Sequence, residues 1–441
     1  MTTMLHQTAN AAAMGSNEGR WPRICELSRP SEQLHVAMLC FHTSPLAILG
    51  QSRDAGGMNI YVRELAKNLG QRGIAVDIFT RWTDPSLPQI VPLGTNARLI
   101  HIPAGPLTPL PKNDLFGYVP AFVAGIDCFA ISQHTEYQLI HSHYWLSGVA
   151  GLSLAQRWGA PHMTMFHTLA RLKQHARPEE NESALRIEQE RRIIAEVDSI
   201  IVATDDERQQ IQRLYGAHRG TIHTIPCGVE LSNFMPLNRT AARASVAAEL
   251  RLDDEPLLLY VGRLDPLKGA ELLVRTVPLL QTTATLVIVG GDERDPERER
   301  LLTLARASGV ATRIRMVNAV PHEELSRYYR AADLMAIASH YESFGLVAVE
   351  ALASGTPVIA ARVGGLPTIV QDRINGLLID HRSPEQFAHG IDALLRDPAE
   401  MSRLRAAARP SVRQFGWHAV AGQIADCYAT LSTATFARAA G

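Results

Sequence analysis

The feature that most constrains the fold of this chain is an alternation of short apolar strands with helices, which occurs twice along 441 residues. The first round has a strand over 35–41, a turn-rich segment over 50–57, a helix over 58–72 and a strand over 75–80. The alternation restarts after a break at 226–236. Successive strand–helix–strand units build parallel sheets that bind ligands at the carboxyl ends of their strands. The pattern therefore predicts two α/β domains with a ligand cleft between them.

The domain limits follow from where this alternation begins, breaks and ends. Residues 1–33 are polar and aperiodic, so we expect a disordered N-terminal extension. We place the first domain over 34–225 and the second over 226–414. Over 415–441 we expect a C-terminal helix that packs back on the first domain.

The composition excludes several classes of protein. Lys plus Arg total 43 and Asp plus Glu total 44, so the formal net charge is −1, which argues against nucleic-acid binding and anionic membranes. The five cysteines are scattered and form no CxxC pair, as is typical of a protein in a reducing cytoplasm. We see no signal peptide and no apolar run of about 20 residues that could span a membrane. The expected location is the cytoplasm.

A stretch in the second half carries the first candidate site. A strand-like run over 334–338 precedes a turn at 343–346, and a helix follows. Gly345 allows backbone to approach a ligand closely, and N–H groups at the start of a helix bind anions. Glu342 and Glu350 bracket this turn, and carboxylates suit sugar hydroxyls because each accepts several hydrogen bonds. The alternative is a buried helix with two solvated glutamates.

A basic loop follows the first strand of the second domain. It contains Arg263 and Lys268, and it is shaped by Pro266 and Gly269. A guanidinium and an ammonium at this position can clamp a diphosphate and neutralise a leaving group. The alternative is a solvated basic loop.

Histidines end two strands of the first domain. His141 and His143 point to the same side of one strand, and His167 ends another beside Thr168. A histidine pair can bind a metal, but no third ligand is convincing and no Asp-x-Asp tripeptide occurs. We therefore expect no metal and take His167 as the catalytic candidate. From spacing alone, the basic and hydroxyl residues of this domain are unrelated.

Several motifs occur together in this chain. Those of the second half are Glu-x7-Glu (342–350), Gly-Arg-Leu-x-Pro-x-Lys-Gly (262–269) and Ser-Gly-Thr-Pro-Val-Ile-Ala (354–360). Those of the first half are His-Thr-Ser-Pro-Leu (42–46), Asp-Ala-Gly-Gly-Met-Asn-Ile-Tyr (54–61), His-Ser-His-Tyr-Trp-Leu-Ser-Gly (141–148) and His-Thr-Leu-Ala (167–170). With them the chain resembles the retaining glycosyltransferases of family 4, which have the GT-B fold of two Rossmann-like domains facing across a cleft. Within the family it is most similar to the D-inositol 3-phosphate glycosyltransferases of mycothiol synthesis and to sucrose-phosphate synthases.

The resemblance implies a role for each matching residue. The catalytic residues would be His167, Glu342, Lys268 and Arg263. The donor-binding residues would be Gly57, Asn59, Arg263, Lys268, Val320, Glu342, Ser343, Phe344, Gly345, Leu346 and Glu350. The acceptor-binding residues would be Asn59, Lys112, Tyr144, Thr168 and Arg186, of which the last four would grip a phosphate.

The implied activity is retaining transfer of a hexose from a UDP-sugar, UDP-GlcNAc or UDP-glucose, to a small phosphorylated acceptor such as inositol phosphate. The UDP-sugar is a co-substrate, and no cofactor is required. The resemblance also allows a homodimer. Three alternatives stay open: glucose transfer to fructose 6-phosphate, a family 4 enzyme acting on another glycan or lipid, and a sugar-binding protein that closes about a hinge. Segments 107–117 and 176–181 depart from the family pattern, which leaves the acceptor open.

Overall fold

The computed structural model describes residues 33–47, 56–179, 182–217 and 221–439. Apart from Gln33, the segment predicted to be disordered over 1–33 lies outside the described residues. The predicted turn over 50–57 lies outside them as far as residue 55. From Leu34 onward the described chain holds two β-sheets, one in each half.

The first half forms an eight-stranded sheet. Its strands are β1 (His35–Leu39), β2 (Ala75–Arg81), β3 (Ile90–Gly94), β4 (Ala97–Ile102), β5 (Leu139–His143), β6 (His162–Met165), β7 (Ser199–Val202) and β8 (Thr221–Thr224). They lie in the order β3-β4-β2-β1-β5-β6-β7-β8. All neighbours are parallel except β3 and β4, which are antiparallel. Without β3, this is a doubly wound sheet whose direction of winding reverses between β1 and β5.

The second half forms a six-stranded, wholly parallel sheet. Its strands are β9 (Leu257–Val261), β10 (Thr285–Val289), β11 (Ile314–Val317), β12 (Leu334–Ile337), β13 (Val358–Ala361) and β14 (Gly376–Ile379). They lie in the order β11-β10-β9-β12-β13-β14, so the winding reverses between β9 and β12. Parallel strands are buried on both faces, which explains why β9 reads Leu-Leu-Leu-Tyr-Val and why all five residues are buried.

Helices connect these strands. They are α1 (Gly57–Gln71), α2 (Val119–Ser132), α3 (Trp145–Trp158), α4 (Ala170–Ala176), α5 (Ala184–Glu196), α6 (Asp205–Tyr215), α7 (Arg239–Leu250), α8 (Ala270–Thr276), α9 (Pro296–Ala307), α10 (Leu325–Ala331), α11 (Leu346–Ala353), α12 (Leu366–Ile369), α13 (Pro384–Leu395), α14 (Pro398–Ala408) and α15 (Trp417–Ala439). In α1, Tyr61, Leu65 and Leu69 form the predicted apolar face and are fully buried. No helix in the described part of the chain combines the length and the apolarity that crossing a bilayer requires.

The structure confirms the predicted α/β architecture and contains elements that were not predicted, among them β3 and α4. Strand β3 was not predicted because its sequence, Ile-Val-Pro-Leu-Gly, contains residues that disfavour strands. As an edge strand, β3 has a neighbouring strand on one side only. It therefore tolerates Pro92, which has no N–H to donate to a neighbouring strand. Helix α4 lies where the sequence predicted no helix. Its neighbours in the tertiary structure stabilise this short helix more than its composition does.

The two winding reversals determine where the site lies. In doubly wound sheets the crevice opens beyond the carboxyl ends of the strands on either side of the reversal. Here those ends lead into His42, into Tyr144, into the loop 262–269 and into the turn 339–346. All four places contribute residues to one cavity.

The C-terminal helix α15 contacts the first half of the chain. Arg72 Nη2 donates to the carbonyl oxygen of His418 at 2.6 Å. The rings of Tyr61 and Trp417 meet edge to face, with centroids 5.4 Å apart. The helix therefore packs against α1.

Candidate functional site

A cavity of about 340 Å³ lies between the two sheets and contains nearly all of the predicted site residues. The predicted residues in its lining are Gly57, Lys112, Tyr144, His167, Thr168 and Arg186 from the first half, and Arg263, Lys268, Val320, Glu342, Ser343, Phe344, Gly345, Leu346 and Glu350 from the second. Groups far apart in sequence thus face one space.

Asn59 was predicted to contact a sugar; in the structure it is buried and is not among the residues that line the cavity. It is 1% exposed, and its Oδ1 accepts the N–H of Gly56 at 2.9 Å. Its Nδ2 donates to Thr43 Oγ1 at 2.8 Å and to the carbonyl oxygen of Ser44 at 2.7 Å. Asn59 therefore ties the start of α1 to the loop after β1.

An ion pair forms the centre of the wall contributed by the second half. Lys268 Nζ lies 2.6 Å from Glu342 Oε2, and the side chains are 29% and 13% exposed. The Asp265 side chain accepts the N–H of Leu267 at 3.0 Å and so shapes the loop that carries Lys268. The backbone carbonyl oxygen of Glu342, the other member of the ion pair, accepts the N–H of Gly365 at 2.8 Å, which fixes the position of Glu342. Both charged groups are thus held beyond the carboxyl ends of the adjacent strands β9 and β12.

The two halves approach each other closely beside this pair. A Cβ at Gly57 would lie 2.8 Å from Leu346 Cδ1, so the absence of a side chain is what allows this approach. Ser343 Oγ donates to the carbonyl oxygen of His167 at 2.8 Å. Gly345, with φ of +105°, begins α11 in the left-handed region that favours glycine. These contacts hold the turn 343–346 and its amides against the first half.

Glu350 is buried and has two hydrogen-bond partners. Its Oε1 lies 2.7 Å from His322 Nε2, and its Oε2 accepts the hydroxyl of Tyr329 at 2.7 Å. The side chain of Glu350 is 4% exposed and still lines the cavity. His322 was not among the predicted residues. It contacts the carboxylate at Oε1, and we expect it to position Glu350.

The pair formed by His322 and Glu350 predicts a pH-dependent stability. Burial opposes protonation of His322, yet the Glu350 carboxylate raises the pKa of His322 above its ordinary 6.5. Because the pKa is higher in the folded chain than in the unfolded chain, protonated His322 adds stability in full below about pH 6.5. That stability is lost as the pH rises through the raised pKa.

We therefore expect His322→Gln to lower the melting temperature more at pH 5.5 than at pH 8.5, measured by scanning fluorimetry. We also expect it to raise the donor KM about tenfold, the effect of losing one hydrogen bond to a charged group. The matched control is His381→Gln at an exposed position, which should change neither quantity. A pH-independent loss in the His322 variant would contradict the pairing.

His167 lies where the two halves touch. Its Nε2 is 3.0 Å from His143 Nδ1, and burial lowers the pKa of His167 to about 3. Both imidazoles are neutral near pH 7, since burial also lowers the pKa of His143 well below its ordinary value. The contact with His143 thus fixes the orientation of the His167 ring. His141, the other histidine of the pair, instead contacts the Tyr428 hydroxyl of α15 through its Nδ1 at 2.7 Å.

Within the described ranges, no three or more His, Cys, Asp or Glu residues are placed so that they could hold an ion together. His141 and His143 use their Nδ1 atoms for the contacts given above.

The opposite wall of the cavity is basic and is built on α5. Arg186 is 3% exposed and donates through Nε to Glu190 at 2.7 Å and through Nη1 to Glu182 at 2.8 Å. Its Nη2 donates to the carbonyl oxygen of Thr168 at 2.9 Å. Its guanidinium carbon lies 5.0 Å from the centre of the Tyr144 ring. The structure therefore brings together three of the four residues predicted to grip a phosphate, and Lys112 lines the same cavity.

Sequence reasoning missed one cation of this wall. Lys173 of α4 also lines the cavity, and its Nζ lies 2.5 Å from Glu182 Oε1. A sequence signal exists, because Lys173 lies six residues after His167, within reach of the same strand end. That signal is weak unless α4 is recognised as a helix.

Two family models match the chain. The model described as Glycosyltransferase Family 4 matches residues 55–233, and the model described as Glycosyl transferases group 1 matches residues 243–411. D-inositol 3-phosphate glycosyltransferase of Xylanimonas cellulosilytica is 43% identical over 402 residues, which cover 89% of this chain and 96% of that protein. The protein of the same name from Nocardiopsis dassonvillei is 40% identical over 405 residues, covering 89% and 94%. The chain belongs to glycosyltransferase family 4.

Solved structures agree with this family assignment. Sucrose-phosphate synthase from Thermosynechococcus elongatus superposes with a TM-score of 0.84 at 36% identity, covering 91% of this chain and 100% of that chain. HepE of Anabaena in complex with UDP-glucose superposes with a TM-score of 0.72 at 18% identity, covering 90% and 100%. The two-sheet architecture is the GT-B fold of family 4, and the chain is a retaining hexosyltransferase.

Proposed function

We propose that this family 4 enzyme transfers a hexose from a UDP-sugar, UDP-GlcNAc or UDP-glucose, to a small phosphorylated acceptor, with D-inositol 3-phosphate as the favoured acceptor. The observation that carries the proposal is one cavity that has Arg263, Lys268 and Glu342 on one side and the basic wall on the other. The name of the 43% identical relative supports the inositol phosphate. The donor site lies in the second domain, over 226–414, and the acceptor site in the first, over 34–225.

On the donor side, the ion-paired loop would hold the diphosphate. Arg263 and Lys268 would neutralise its charge, together with the amides of Gly57 and of 343–346 at the start of α11. Glu350 would accept hydrogen bonds from the ribose hydroxyls. The remaining donor contacts are Glu342 to the sugar and the backbone of Val320 to the uracil.

On the acceptor side, Lys112, Tyr144, Thr168 and Arg186 would bind the phosphate. Charge-assisted hydrogen bonds from lysine and arginine are the strongest contacts a protein makes to phosphate. Tyr144 and Thr168 add hydroxyl groups to the same wall. His167 lies between the two walls, where the reacting atoms would meet.

The proposed mechanism depends on positioning. In retaining transfer on one face, the acceptor hydroxyl approaches the side of the sugar from which the diphosphate departs. The enzyme then holds both substrates at reacting distance and stabilises the charge that grows on the leaving diphosphate. Lys268 and Arg263 serve the second task, and the contacts of both walls serve the first.

The proposal is tested by following UDP release from four mixtures: UDP-GlcNAc or UDP-glucose, each with D-inositol 3-phosphate or fructose 6-phosphate. We expect rapid release only in a mixture that contains the inositol phosphate. Protein carrying Lys268→Ala serves as the negative control. Absence of release in all four mixtures would overturn the proposal.

Glucose transfer to fructose 6-phosphate is a second candidate. It is favoured by the sucrose-phosphate synthase structure, which is 36% identical over 91% of this chain. Both acceptors carry a phosphate, so the basic wall suits either. Release only from UDP-glucose with fructose 6-phosphate would select this candidate.

A further inference from the structure

The basic wall contains a cation that the proposed function does not use. Lys173 lies on the cavity surface, with its side chain 17% exposed. Its ammonium group contacts Glu182, and the other carboxylate oxygen of Glu182 accepts from Arg186. One carboxylate therefore holds two cations of the wall side by side.

Helix α4 is anchored where Lys173 emerges from it. Glu190, whose side chain is 0% exposed, accepts the N–H of Ala170 at 3.0 Å. The N–H of Arg171 donates to the Tyr215 hydroxyl at 3.0 Å. The first turn of α4 is thus fixed to α5 and α6, which places Lys173 on the cavity side without dependence on a flexible loop.

Arg186 by itself has one N–H group left to donate to an anion. Of its five N–H groups, Nε donates to Glu190, one on Nη1 to Glu182, and Nη2 donates to the carbonyl oxygen of Thr168 at 2.9 Å and to its Oγ1 at 3.3 Å. Its charge also faces two carboxylates. A phosphate bound at this wall therefore needs another strong donor.

The charge of the wall makes the same point. Lys112, Lys173 and Arg186 all line this cavity, and each brings a positive charge to it. A phosphate monoester carries about −1.5 to −2 near pH 7. Lys173 thus adds to the positive charge that such an anion would meet at this wall.

We propose that Lys173 binds the anionic group of the acceptor directly and makes the cavity select a phosphorylated acceptor over its unphosphorylated counterpart. The inference rests on the proposed function in taking the ligand of this wall to be a phosphorylated acceptor. The shared chemistry is a phosphate monoester, whichever sugar or cyclitol carries it.

The first test compares Lys173→Met, which removes the charge, with Lys173→Arg, which keeps it. We expect Lys173→Met to raise the KM for D-inositol 3-phosphate about ten- to a hundredfold, the effect of losing one charge-assisted hydrogen bond, with the donor KM unchanged. The kcat/KM for unphosphorylated inositol should stay as it is, so the preference for the phosphorylated acceptor falls. Lys173→Arg should recover most of that preference.

The matched control is Lys67→Met. Lys67 is also a lysine paired with a glutamate, at 3.1 Å from Glu64, but it does not line this cavity. The Lys67→Met substitution removes the same charge as Lys173→Met and should leave the acceptor KM unchanged. If Lys173→Met raises donor and acceptor KM equally, or leaves the preference for phosphate intact, Lys173 is a structural ion-pair partner and the inference is wrong.

A binding measurement separates this inference from the proposed function. Isothermal titration calorimetry measures the binding of inorganic phosphate to wild-type, Lys173→Met and Lys67→Met protein. No donor is present, so no transfer takes place. About tenfold weaker binding in Lys173→Met alone supports the inference, even if inositol phosphate fails as a substrate. Equal binding in all three proteins, or none in the wild type, overturns it, even if transfer to inositol phosphate is observed.

Discussion

Replacing Lys268 by alanine is expected to lower kcat about a hundred- to a thousandfold, the usual effect of removing one group that stabilises a developing negative charge. Lys268 lies 2.6 Å from Glu342 in the cavity wall that we propose binds the donor, where a leaving diphosphate would gain charge. Steady-state rates with saturating donor and acceptor measure the loss.

The same substitution should change stability little. Lys268 and Glu342 are partly exposed, at 29% and 13%, and a pair of this kind contributes about 1 kcal/mol at most. Urea unfolding of wild type and Lys268→Ala measures the difference. The control is Lys67→Ala, which removes a lysine from an ion pair outside the cavity and should preserve kcat. A Lys268 variant that keeps its kcat, or loses activity only because it unfolds, would remove Lys268 from the chemistry.

Replacing Arg186 by alanine is expected to raise the acceptor KM about a hundredfold and to leave the donor KM unchanged, because Arg186 belongs to the basic wall that we propose binds the acceptor phosphate. The structure adds a second expectation. The side chains of Arg186 and Glu190 are 4% and 0% exposed, so the substitution leaves a buried carboxylate without its charged partner. We expect a loss of about 3–5 kcal/mol in the free energy of unfolding.

A milder variant separates the two effects of Arg186→Ala. Thr168→Val removes a hydroxyl from the same wall and changes no charge, so it should raise the acceptor KM several-fold with a small loss of stability. Both variants are assayed well below their melting temperatures. An unchanged acceptor KM in folded Arg186→Ala protein would contradict the phosphate-binding role of the wall.

Much of the fold follows from local sequence because parallel sheets require continuous apolar strands, such as the five buried residues of β9. Strand β3 does not follow, since Pro92 and Gly94 disfavour strands and only its place at the sheet edge makes it one. Helix α4 was missed for a related reason, because tertiary contacts to Glu190 and Tyr215 stabilise it.

The candidate site was predictable residue by residue but not as a set of contacts. The motifs indicated Lys268 and Glu342, yet their ion pair joins positions 74 residues apart, and no spacing rule gives such a contact. His322 escaped notice because its role depends on burial beside Glu350. Asn59 shows the reverse, since a residue in a motif is buried and holds a loop through its hydrogen bonds.

The central claim is that one cavity joins a UDP-sugar to a phosphorylated acceptor. The most direct test offers the enzyme UDP-GlcNAc, UDP-glucose, D-inositol 3-phosphate, unphosphorylated inositol and uniformly 13C-labelled fructose 6-phosphate in equal amounts in one tube, and identifies the products by mass spectrometry. The label is needed because inositol and fructose are isomers, so their phosphorylated glucosides would otherwise have the same mass. The account predicts one dominant product with the mass of a hexose or N-acetylhexosamine joined to inositol phosphate. A dominant product built on unphosphorylated inositol, or no product at all, would contradict it.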